Sequence, residues 1–212
     1  MAIKKLWVVL IVITGLLFSV AVHASGITES AVANLIKIPK TRQATDHTCG
    51  VASFQSLLYY YGIEIREDKL ATALHADDYA RTGEIVKYAQ SQGLTVETRR
   101  NMTLAELQQY IDKKNPVMVC MQAWPDNPMT LAAYAADWED GHWVVIIGYD
   151  KNNIYMMDPS TLGNYAYVPR AEFEVRWHDY DDDITKPYVH FGIIITSNKP
   201  ITYNPNAITY ME

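Results

Sequence analysis

An α+β fold, a helical portion followed by an antiparallel sheet, is predicted from three observations. Val51, Phe54, Leu57, Leu58 and Tyr61 recur at helical spacing and end at Gly62, a natural stop. Two apolar runs, Trp143–Tyr149 and Ile154–Met157, flank the turn Asp150-Lys151-Asn152-Asn153 and so form a hairpin. The chain has 212 residues, 49% of them apolar, enough for one ordinary domain and too few for two.

From the N-terminus, Lys4 and Lys5 precede an apolar run from Leu6 to Val22, and Val22-His23-Ala24 carries small residues where a signal peptidase reads. Residues 1–24 are therefore expected to be a signal peptide, with an uncleaved anchor through residues 6–22 as the other reading. That run is slightly short of the roughly 20 apolar residues a spanning helix prefers. Export, to a periplasm or the medium, follows as an expectation. Residues 25–37 then form a linker, 38–197 the folded domain and 198–212 a tail.

The formal charge is −6, and removal of residues 1–24 takes away two lysines and no acids, leaving −8. With no basic run to compensate, nucleic acid and anionic membrane surfaces are excluded as partners.

After the first helix, 67–74 and 84–91 are expected as short helices, the second closed by Gly93, and 94–97 as a short strand. Thr103-Leu104-Ala105-Glu106 is a capping box in which threonine and glutamate each satisfy a backbone amide, and Leu104, Leu107, Tyr110 and Ile111 give the buried stripe of the helix it starts. Pro116–Met121 is an apolar run read as a buried strand. Residues 123–140 form a long loop with Trp124, Pro125, Pro128, Tyr134 and Trp138 among four acids. Exposed aromatics beside a functional strand suit a peptide groove, so Trp124, Trp138 and Trp143 are expected to contact substrate; packing beneath the loop is the plainer alternative. A helix over 171–177 and a last strand over 190–196 complete the domain. Asp179, Asp181, Asp182 and Asp183 imitate a calcium loop, but Ile184 stands where the turn glycine belongs, so the run is read as a solvated acidic turn. No metal site is expected from His178 or His190.

Chemistry concentrates at four residues. Cys49 stands in a polar loop at the start of the first helix, where macrodipole and unpaired amides favour a thiolate. His142 opens the first hairpin strand and Asp158 leaves the second, so they lie near the open ends of the two strands. Gln43, six residues before Cys49, can point an amide donor at a developing oxyanion. A thiol nucleophile needs a base, a group to orient that base, and oxyanion donors, and these residue types supply all of them. His47 is a competing base, too close in sequence to Cys49 to align well. The second cysteine offers a rival: an exported protein with Cys49 and Cys120 could bridge them and be a non-catalytic binding module.

Gln43-Ala44-Thr45-Asp46-His47-Thr48-Cys49-Gly50, Gly141-His142-Trp143-Val144-Val145 and Met157-Asp158-Pro159-Ser160 together resemble the papain-like cysteine peptidases. Within that group the pattern is most similar to stand-alone relatives of the double-glycine leader peptidases, cysteine peptidase family 39, over residues 38–197. The resemblance implies a papain-like fold, a Cys49–His142–Asp158 triad with Gln43 as oxyanion donor, a peptide or protein substrate and no cofactor. Acyl transfer to an amine, as in transglutaminase-like enzymes, uses the same triad and stays open at this point.

Overall fold

The computed structural model describes residues 26–180, 185–208 and 210. The apolar segment 1–24 and the acids Asp181–Asp183 lie outside the described residues.

Helices come first. α1 (Cys49–Tyr60) buries the stripe predicted for it, with Val51, Phe54, Leu57 and Leu58 fully enclosed, and the chain leaves it through Gly62 at φ +79°. α2 (Glu67–Ala73) and α3 (Thr82–Ser91) follow, α3 ending before Gly93 at φ +77°. β1 (Thr95–Arg99) leads to α4 (Leu104–Asp112), whose capping box is formed in both directions: Thr103 accepts from the Glu106 amide and Glu106 accepts from the Thr103 amide.

The remaining strands are β2 (Val117–Gln122), β3 (Gly141–Tyr149), β4 (Asn153–Met157), β5 (Ala166–Pro169), the two-residue pair β6 (His178–Asp179) and β7 (Tyr188–Val189), and β8 (Gly192–Thr196). They are interrupted by α5 (Leu131–Ala136) and α6 (Arg170–Arg176). Six strands form one antiparallel sheet in the order β1-β8-β2-β3-β4-β5. β2 and β3 sit at its centre and are covered on both faces, which is why they read as unbroken apolar runs rather than alternating ones. α1 packs on β3, so the helix that carries Cys49 lies directly against the strand that carries His142.

Several sequence expectations need correction. The 123–140 loop contains α5, capped by Thr130, whose hydroxyl accepts from the Ala133 amide. β5 and the β6–β7 pair were not legible, because strands this short carry little periodicity. The last strand starts at Gly192, not residue 190, since His190 takes a left-handed φ of +46°. Asp179 does not belong to a solvated turn: it lies in β6 with its carboxylate accepting from the Cys120 thiol at 2.8 Å. No disulfide joins Cys49 to Cys120.

Candidate active site

The β3–β4 hairpin determines whether His142 and Asp158 can meet. Its turn is set by Asp150, whose Oδ1 accepts from the amides of Asn152 and Asn153, each at 2.7 Å. From that turn the strands pair Tyr149 with Ile154 and Gly148 with Tyr155. The register then slips, so that Ile146 faces Met156 and Val145 faces Met157. One extra residue on β3 is thus a β-bulge. Its effect on the site is one of parity. Carried without the bulge, the register would set Asp158 opposite Val145, on the other face of the sheet from His142. With the bulge, Asp158 falls opposite Val144, on the face of His142 and diagonal to it. Gly148 makes room there, because a Cβ would lie 3.0 Å from Leu35 Cδ1 of the N-terminal strap. The strap is tied to the same place by a bond from the Ile36 amide to the Ile147 carbonyl.

The result is a bond of 2.7 Å between His142 Nε2 and Asp158 Oδ1, with both side chains buried. Asp158 is held in turn by the Ser160 amide on Oδ1 and the Thr161 hydroxyl on Oδ2, each at 2.8 Å. With Nε2 occupied, Nδ1 is the ring nitrogen left to face the Cys49 thiol.

Electrostatics follow from this packing. Burial raises the Cys49 thiol pKa, but the hydrogen bond and charge of His142, with the backbone amides of Trp143 and Gly50, outweigh it and bring the value below 9.0. Burial likewise disfavours a charged imidazole, yet the bond to Asp158 and the contact with Cys49 prevail and raise His142 to about 9. Asp158 pays a burial penalty too, and its partners His142, Ser160 and Thr161 hold it below the usual carboxylate value. The three groups therefore favour a thiolate–imidazolium pair braced by a carboxylate.

Gln43 is anchored rather than free. Its Oε1 accepts from the Ser160 hydroxyl at 2.9 Å, its Nε2 donates to the Thr45 carbonyl at 2.9 Å, and its own amide donates to the Pro159 carbonyl. The amide keeps one further N–H. Thr48, just before α1, accepts from the amides of Ala44 and Thr45 and so ties down the loop ahead of Cys49.

Two cavities meet at the histidine strand. One, of about 430 Å³, is lined by His142, Asp158, Trp124, Pro125, Tyr134, Met156 and neighbouring apolar residues. The other, of about 370 Å³, holds Cys49 with Gly141, Trp143, Asp179, Tyr180, His47 and the loop around Asp78. Trp124 is 60% exposed and stands at the first cavity. Trp138 lines neither; it packs on His178 and Tyr180 at centroid distances of 4.4 and 4.5 Å, so it is a brace. Trp143 is only 7% exposed, packed edge-on to Phe191, and offers the second cavity a floor rather than a wall. Ser160, Thr161 and Asp179 are the neighbours that sequence reasoning assigned no role; the Asp-Pro-Ser-Thr run was the available signal for the first two. Among the described residues no group of three or more His, Cys, Asp or Glu is arranged to hold a metal ion.

A family model described as Peptidase_C39 like family matches residues 35–183. No curated relative matches. Among solved structures, a putative C39-like peptidase from Bacillus anthracis aligns with TM-score 0.57 and 19% identity, covering 80% of this chain and 98% of that one. The peptidase domain of Streptococcus ComA, a bifunctional ABC transporter involved in quorum sensing, aligns with TM-score 0.55 and 17% identity over 76% of this chain and 98% of that one. A double glycine motif protease from an AMS/PCAT transporter, solved in complex with the leader peptide, aligns with TM-score 0.50 and 20% identity over 76% and 93%.

Proposed function

Because the chain belongs to the C39-like peptidase family, with the α+β fold of its papain-like peptidases, we propose that it hydrolyses peptide bonds with Cys49 as nucleophile, His142 as acid and base, and Asp158 as the group that orients His142. The observation that carries this reading is the buried 2.7 Å His142–Asp158 bond beside a thiol whose pKa is lowered.

The Cys49 thiolate attacks the carbonyl carbon, forming a C–S bond while the carbonyl π electrons move onto oxygen. The Cys49 amide at the N-terminus of α1 and the remaining Gln43 N–H are the donors for that oxyanion. Collapse breaks the C–N bond, and the His142 imidazolium protonates the departing amine. Water then attacks the thioester, neutral His142 takes its proton, and the acid product leaves as the thiolate returns. Asp158 keeps the proton on Nε2 and stabilises the imidazolium. An amine in place of water would make the same acyl-enzyme a transferase. The leader peptide bound to the double glycine motif protease supports an extended peptide as the substrate class, and Trp124, exposed at the His142 cavity, is suited to the segment beyond the scissile bond. The apolar run 6–22 and Ala24 support action outside the cytoplasm.

Iodoacetamide alkylation of Cys49 across pH, read by mass spectrometry, tests this directly. Labelling is expected to begin well below the pH range of an ordinary thiol, because His142 stays protonated up to about 9 and pairs with the thiolate. In His142→Ala the hydrogen bond and charge that most lower the thiol are gone, so the onset should move to higher pH. Wild-type labelling with ordinary thiol pH dependence would overturn the reading.

A further inference from the structure

Asp179 is a half-buried carboxylate in the nucleophile's own cavity that the mechanism above does not use. Two donors position it: the Cys120 thiol on Oδ2 at 2.8 Å and the Tyr180 amide on Oδ1 at 2.7 Å. It presses so closely on Gly141 that a Cβ there would lie 2.1 Å from Oδ2, so the glycine next to His142 is what admits the carboxylate. Neither donor is a cation. Among the described residues no lysine or arginine forms an ion pair with it, and none lines this cavity. Burial accordingly pushes its pKa up. Asp46 and Asp78 also line the cavity, but they are exposed and screened by solvent, which leaves Asp179 as the carboxylate with the strongest local field.

The cavity's place in the reaction gives the side of the substrate it takes. His142 protonates the departing amine, so the amine side of the peptide lies in the cavity that His142 lines. The cavity that contains Cys49 and not His142 holds the acyl side.

Resting on the peptidase reading above, we propose that Asp179 is a specificity-determining residue whose carboxylate receives the lysine or arginine side chain of a substrate residue on the acyl side of the scissile bond. A cation is the ligand class that gains most there, because it supplies the charge partner that the protein's own donors do not.

A tryptic-free, proteome-derived peptide library digested by wild type, Asp179→Asn and Cys49→Ala tests it, followed by kcat/KM for one cleaved peptide and its analogue with the basic residue replaced by glutamine. Wild type should enrich Lys or Arg at one acyl-side position and favour the basic peptide over its analogue by about 10- to 100-fold, the range for a hydrogen bond to a charged group. Asp179→Asn should reduce that ratio to near unity. Gly141→Ala, which displaces the carboxylate while leaving its charge, should reduce it as well; melting curves check that both variants fold. An unchanged ratio, as a purely structural role for Asp179 predicts, overturns the proposal, and so does wild-type cleavage without basic preference, which leaves the peptidase reading standing. A wild type that cleaves nothing beyond the Cys49→Ala background overturns both.

Discussion

At the residue scale the site is a chain of single hydrogen bonds, each removable. Gln43 keeps one N–H while its other amide atoms are fixed by Ser160 and Thr45. Gln43→Ala is expected to lower kcat about 100- to 1000-fold with a much smaller change in KM, the signature of a donor used in the transition state. Steady-state kinetics on one peptide would show it. Thr161 is the hydroxyl donor to Asp158 Oδ2. Thr161→Val leaves a buried carboxylate oxygen without it, so about 1 to 3 kcal/mol of stability should be lost, measured by denaturant unfolding, with Thr161→Ser restoring it. Cys49, His142, Asp158 and Gln43 were legible in the sequence because their residue types and order already describe a thiol nucleophile and its helpers. Ser160 and Thr161 were not, since a hydroxyl near a carboxylate means nothing until the turn after β4 brings it round. An aromatic near a functional strand reads the same whether it faces substrate or packs inward: Trp138 packs on His178 and Tyr180, while Trp143, packed edge-on to Phe191, still floors the Cys49 cavity.

At the scale of elements, the β-bulge between Ile146 and Gly148 matters more than any one catalytic side chain. It moves Asp158 from the face of Val145 to the face of His142, a change that no adjustment of rotamers could make. Gly148→Val places a branched side chain where a Cβ already meets Leu35 at 3.0 Å and Tyr155 Cβ at 3.6 Å. The expected cost is about 1 to 3 kcal/mol from overpacking. Because the disturbance falls on the hairpin, the Cys49 alkylation rate at pH 6 should fall as well. A change that alters no residue of the hairpin, Thr103→Ala at the α4 cap, should lose about 1 kcal/mol and leave that rate intact. Comparing the two variants by unfolding and labelling separates hairpin geometry from general stability. The helices and long strands were legible because their apolar periods are unambiguous. The bulge was not, for Gly148 inside an apolar run marks an irregularity without saying which way it shifts the register.

At the scale of the whole molecule, two fields act on a substrate. One is the net charge of −6; the other is local, from Asp179 within the Cys49 cavity. Long-range attraction is screened by salt, whereas a buried pair is screened much less. Raising ionic strength from about 0.05 to about 0.5 M should therefore lower kcat/KM for a cationic peptide several-fold, mostly through KM, while the Lys-to-Gln preference of a single peptide pair changes little. Stopped assays at two salt concentrations would decide it. If the preference vanished with salt, recognition would belong to the surface field and not to the cavity.

The sequence by itself determined the α+β class, the helix that begins at Cys49, the hairpin that carries His142 and Asp158, and the kind of chemistry proposed for those residues, because each rests on local periodicity or residue type. Tertiary structure alone decided which face of the sheet Asp158 occupies, that Cys120 serves Asp179 instead of bridging Cys49, and which tryptophans reach a cavity. Those outcomes depend on strand register and on contacts between segments far apart in the chain. Such contacts are fixed by packing the whole core at once, and a linear pattern carries no record of that packing.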